Sequence, residues 1–101
     1  MSGDTLFLLP PGFVGEDGTR QYCPECAEVW GLLAYYPAIR ETLEVEYEPL
    51  AHPRPGLTAR LGEGRWNCPT LVRGDTGEAL GSARAIAGYW AERFGTARAR
   101  G

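Results

Sequence analysis

The sequence predicts an α/β domain: a four-stranded mixed sheet, part parallel and part antiparallel, flanked by helices on both faces. Three observations carry that prediction. Residues 5–9 (TLFLL) form a near-continuous apolar run of strand length, as in a strand buried on both faces. Cys26, Val29, Trp30 and Leu33 recur at helical spacing, as do Ile86, Trp90 and Phe94 with Ala83 and Ala87 alongside. Residues 43–48 (LEVEYE) alternate apolar and acidic, which is the pattern of a half-buried strand. A chain of 101 residues has room for one domain. Its core is expected over residues 3–95, with a flexible tail over 96–101.

Taken in order, Pro10 and Pro11 end the first strand, and the Gly-rich polar residues 12–20 (GFVGEDGTR) read as a long loop. Pro24 suits a first helical position, because its missing N–H is one that a helix start leaves unpaired. Pro37 stops that helix near Tyr36, and residues 38–42 add a short helical turn. In the alternating strand, Leu43, Val45 and Tyr47 are expected to face the core and Glu44, Glu46 and Glu48 to face water. Three like charges on one face mark an edge strand. Residues 50–65 read as a loop with one short helix, and residues 70–72 as a strand. Gly74, Asp75, Thr76 and Gly77 form a turn that returns residues 78–80 antiparallel. Ser82 is placed to cap the start of the last helix and Gly95 its end. Short right-handed crossovers close this order into the mixed sheet.

Charge and cysteine usage narrow the function. A net charge of −3 argues against a general nucleic-acid binder, which needs a basic face to displace phosphate counterions. No apolar run approaches the roughly 20 residues of a membrane span. The opening segment has no basic stretch before an apolar run long enough for a secretory leader. A cytoplasmic protein without nucleic-acid or membrane partners is therefore expected. All 10 basic residues are arginine, so no lysine ammonium is available to tune a thiol. Three cysteines is an odd number, unlike a secreted disulfide scaffold.

Cys23-Pro24-Glu25-Cys26 sits where a buried strand is followed by a helix start. Free N–H groups and the helix dipole favour a thiolate there. Cys23 then reads as the exposed nucleophile. Cys26, one turn on, is close enough to resolve a mixed disulfide. Glu25 and Glu28 work against the thiolate by adding negative charge. The competing reading is two incidental cysteines on a core helix.

CPEC after a first strand, with Cys68-Pro69-Thr70 opening a later one and a GDTGE hairpin, resembles the thioredoxin fold in its minimal, glutaredoxin-like form. The resemblance spans essentially the whole chain. The segments DTLFLLPPGF and YCPEC also resemble an uncharacterised bacterial family of thioredoxin-like proteins, catalogued as a domain of unknown function. The resemblance implies a thiol–disulfide oxidoreductase acting on a disulfide-bearing protein or small-thiol substrate. Cys23 would be the nucleophile and Cys26 the resolving thiol. Pro69 would be a cis-proline facing the CxxC, with the backbone before it pairing with substrate. Tyr22 takes the place of the aromatic residue that often precedes the motif. Gly81-Ser82 resembles the place where glutathione-binding relatives hold a carboxylate, so glutathione is a candidate cofactor, although Ser82 also reads as a plain helix cap. The long loop before CPEC, the lack of a match for the family's buried acid, and a cysteine before Pro69 depart from the pattern.

If Pro69 opposes the CxxC, Cys68 lies close to Cys23. It would then form an alternative disulfide, or with Cys23, Cys26 and His52 hold Zn²⁺ or an iron–sulfur cluster. The spacings match no standard zinc module, and His52 also reads as an exposed loop residue. Trp66 is a candidate to line the active-site groove, while Trp30 and Trp90 read as core residues.

Overall fold

The computed structural model describes residues 3–100. Strand β1 (Asp4–Leu8) is followed by two short strands, β2 (Phe13–Val14) and β3 (Arg20–Gln21), and then by helix α1 (Pro24–Tyr35). Next come helix α2 (Pro37–Arg40), strand β4 (Leu43–Tyr47), helix α3 (Pro55–Leu61), strands β5 (Thr70–Val72) and β6 (Ala79–Leu80), and helix α4 (Ala83–Phe94).

The main sheet has the order β4-β1-β5-β6. β1 pairs parallel with β4, with Leu6 opposite Val45, and antiparallel with β5, with Phe7 opposite Thr70. β5 pairs antiparallel with β6. The sheet is thus mixed and four-stranded. β1 lies inside it with all five residues buried, which explains its uninterrupted apolar run. Alternation along β1 sorts the core into two layers. Leu6 and Leu8 pack with Val29 and Leu33 of α1 and Ile86 and Trp90 of α4. Phe7 packs on the opposite face with Leu57 of α3 and Val72. Each fully buried side chain of this size contributes about 1.5–3 kcal/mol.

Several expectations are corrected. The residues read as an open loop at 12–20 carry the antiparallel pair β2–β3, with Phe13 opposite Gln21. Asp17 makes the connecting turn by accepting the Thr19 backbone N–H at 3.0 Å and the Thr19 hydroxyl at 2.6 Å. The hairpin's apolar signal is a single Phe-Val pair, too short to show as a period. On the edge strand β4, Leu43 is buried and Tyr47 is 48% exposed, while Glu48 is only 4% exposed. Glu48 leaves the acidic face because its carboxylate accepts the N–H groups of Gly56 and Leu57, both at 3.2 Å, at the start of α3. Phe94 ends the α4 stripe partly exposed, whereas Ala83, Ile86, Ala87 and Trp90 are buried. Residues 96–100 form no helix or strand. Within them the Ala97 N–H donates to the Tyr36 hydroxyl at 3.3 Å.

Among the described residues no helix is long and apolar enough to cross a membrane.

Candidate functional site

The site forms at the end of the sheet where β1 exits. Because β5 runs antiparallel to β1 with Thr70 opposite Phe7, the residues just before β5 arrive beside the chain leaving β1. Those residues are Cys68 and Pro69, and the bond between them is cis, as is His52–Pro53. The start of α1 comes to the same end.

Cys23 is the N-cap of α1, with extended backbone, and Pro24 takes the first helical position. Its Sγ accepts the Cys26 backbone N–H at 3.1 Å, one of the donors that a helix start leaves unsatisfied. The same sulfur stands 4.0 Å from the carbonyl oxygen of Cys68. Cys23 and Cys68 are half-buried, Cys26 is 3% exposed, and all three are free thiols. Burial pushes the Cys26 thiol up to about 12, helped by its hydrogen bond with Cys23 and opposed by the backbone at Leu9. Burial likewise pushes the Cys68 thiol up to about 11, against the pull of the Arg54 guanidinium; Glu48 and Cys23 add to the rise.

Arg54 is the residue that the sequence reading missed. It is 8% exposed, and its guanidinium donates to the carbonyls of Pro49 at 2.9 Å, Leu50 at 2.8 Å and Trp66 at 2.6 Å. One side chain therefore ties the loop before α3 to the segment leading to Cys68. The absence of lysine does not leave the thiols without a cation, because Arg54 sits close enough to Cys68 to favour its thiolate. An arginine between two prolines, Pro53 and Pro55, was the one local hint.

A groove of about 400 Å³ opens beside Cys23 and Cys26. Leu9, Pro10, Pro11, Tyr22, Ala27 and Trp30 form its walls. Tyr22 is 63% exposed there. Trp30, read as a core residue, is half-buried: it packs on the core and also faces this groove. Its Nε1 is buried without an acceptor in the protein. The Arg40 guanidinium lies 6.0 Å from the Trp30 ring centre.

The remaining candidates do not line this groove. Trp66 stacks on His52, with ring centres 4.4 Å apart, and lines a separate cavity of about 230 Å³ with Leu57, Leu61 and Thr70. Ser82 caps α4, its Oγ accepting the Ala85 N–H at 3.1 Å. Glu25 does not lie free beside Cys23: its carboxylate accepts the Ala83 N–H at 2.9 Å, so two N–H groups at the start of α4 already have partners. Among the described residues no three His, Cys, Asp or Glu side chains are grouped as a metal ion requires. No three of Cys23, Cys26, Cys68 and His52 are grouped in that way.

Comparison with curated proteins and with solved structures finds no match. One family model does match, over residues 3–98, and its description is a protein of unknown function (DUF3088). The likeness of DTLFLLPPGF and YCPEC to an uncharacterised family agrees with that result, and the chain belongs to this family of unknown function.

Proposed function

We propose that this protein has a thioredoxin-like fold and exchanges thiols for disulfides through Cys23 and Cys26. The observation that carries the reading is the Cys23 sulfur at the mouth of α1, half-exposed and accepting the Cys26 N–H at 3.1 Å. A helix N-terminus with an aligned N–H donor is the setting that stabilises a thiolate. Two further features support it. Pro69 opens the third strand of the main sheet in chain order, as the resemblance implies for the residue facing a CxxC. The Cys68 carbonyl beside Cys23 is the backbone group that would pair with a substrate.

In the reaction, the Cys23 thiolate attacks one sulfur of a substrate disulfide, and the other sulfur leaves as a thiolate and takes up a proton. The Cys26 thiol loses its proton and attacks Cys23. This releases the second substrate thiol and leaves a Cys23–Cys26 disulfide. The substrate gains two electrons and the protein's two thiols supply them. Cys26, buried and strongly disposed to keep its proton, suits the resolving step better than the first attack.

Equilibration of the protein across a series of dithiol redox buffers, with disulfides mapped by mass spectrometry, tests this. A Cys23–Cys26 bond should form at a definite potential, and Cys26→Ser should trap a mixed disulfide on Cys23. A pair that stays reduced under oxidising buffer, or that pairs only after unfolding, refutes the reading.

A further inference from the structure

We propose that the site, on the dithiol reading above, takes disulfides flanked by an uncharged apolar group, aliphatic or aromatic, rather than charged ones. The groove beside Cys23 and Cys26 has no charged side chain in its walls. Leu9, Pro10, Pro11, Ala27 and the Tyr22 and Trp30 rings form them, and its volume of about 400 Å³ is that of a small-molecule pocket. A substrate sulfur bonded to Cys23 places the group next to it against these walls. An apolar group there leaves water at no cost, whereas a charged or amide-bearing group loses hydration without a protein charge to replace it.

Two charged groups near this end of the molecule, Glu25 and Arg54, are committed elsewhere. The Glu25 carboxylate is bonded to the Ala83 N–H, which joins it to the start of α4. The Arg54 guanidinium is bonded to three backbone carbonyls. A substrate rich in carboxylates, such as glutathione disulfide, meets no cation in the groove walls.

The test is a single-turnover measurement on the reduced protein, so that its own two thiols are the only reductant. Three probes are compared: the symmetric disulfides of N-acetyl-leucyl-cysteine amide and of N-acetyl-glutaminyl-cysteine amide, and glutathione disulfide. The first two match in length and lack charge, so the protein's overall negative charge does not separate them. Rates are followed by acid quench, alkylation and mass spectrometry. The leucyl disulfide should react roughly tenfold faster than the glutaminyl one, as partial burial of one such side chain implies. It should exceed glutathione disulfide by at least as much. Tyr22→Ser and Ala27→Gln change exposed wall positions and should each cut the leucyl preference to about threefold or less. Equal leucyl and glutaminyl rates, a preference for glutathione disulfide, or a leucyl preference untouched by both variants overturns the groove assignment while leaving the dithiol reading standing. No exchange with any probe overturns the dithiol reading and this inference with it.

Discussion

The Glu25 carboxylate accepts the backbone N–H of Ala83 at 2.9 Å, so the first turn of α1 caps the first turn of α4. A residue expected to burden the neighbouring thiolate with negative charge is turned instead toward another helix. Its charge complements the positive end of α4, as the hydroxyl of Ser82 complements the Ala85 N–H. Glu25→Ala should cost about 1 kcal/mol, the worth of a helix-cap hydrogen bond, and Glu25→Gln less. Urea denaturation measures both. Equal stability of all three proteins would show that the bond contributes nothing in solution.

The buried thiols make stability depend on pH in the alkaline range. Cys26 and Cys68 ionise in the folded protein at about 12 and about 11, above the ordinary value of 9.0 that an unfolded chain approaches. The folded state therefore holds protons that the unfolded state gives up. The contribution is fully present below pH 9 and is lost as pH rises through 9 toward 11 and 12. A thermal midpoint that falls across this window in the wild type, and falls less in Cys26→Ala and Cys68→Ala, is the expected result.

Alkylation rates follow from the same two thiols. At neutral pH the thiolate fraction at Cys26 and Cys68 is small and should climb about tenfold per pH unit. Iodoacetamide labelling at several pH values, read peptide by peptide, should show that slope at both cysteines. A plateau for Cys26 near neutral pH would contradict its burial.

Arg54 is expected to be the most sensitive residue around Cys68. Arg54→Lys keeps the charge but lacks the planar fork that reaches three carbonyls, and it should cost about 2–3 kcal/mol. Arg54→Met also removes the cation that favours the Cys68 thiolate, so alkylation of Cys68 should slow further at fixed pH. Denaturation curves for both variants and labelling of Arg54→Met under native conditions check the two effects separately.

Gly56 is required by close approach rather than by backbone conformation. A Cβ there would fall 2.6 Å from Glu48 Oε1 and 2.8 Å from Phe7 Cε1. Gly56→Ala would push the Glu48 carboxylate off the start of α3 or shift the ring of Phe7, destabilising the protein by roughly 1–3 kcal/mol. Its helix propensity favours alanine by about 1 kcal/mol, so a net stabilisation would show that the Glu48 contact is dispensable.

Much of this architecture was legible locally. The apolar run at β1, the helical spacing in α1 and α4, the helix start at Pro24 and the caps at Ser82 and Gly95 depend on neighbours within a few residues, and the structure keeps them. Cys23 and Cys26 could be named as a candidate nucleophile and resolver from residue type and a one-turn spacing alone. Glu48 and the β2–β3 hairpin were misread, and the second face of Trp30, on the groove, was not foreseen. Glu48 follows the alternation of its strand but answers to unpaired N–H groups eight and nine residues further on. Trp30 keeps the period of its helix face yet lies at its margin, where the groove begins.

The order of the helices and main-sheet strands and the position of CPEC at a helix start were decided by sequence alone, because each rests on short-range sterics or periodicity. Tertiary structure decided which thiol neighbours which group: the approach of Cys68 to Cys23, the reach of Arg54 across 12 residues to the Trp66 carbonyl, and the grip of Glu25 on α4, 58 residues away. Those contacts join segments that only the antiparallel β1–β5 register and the packing of α1 beside α4 bring together. A buried polar group takes whichever partner the fold delivers, and no local pattern in the chain names it.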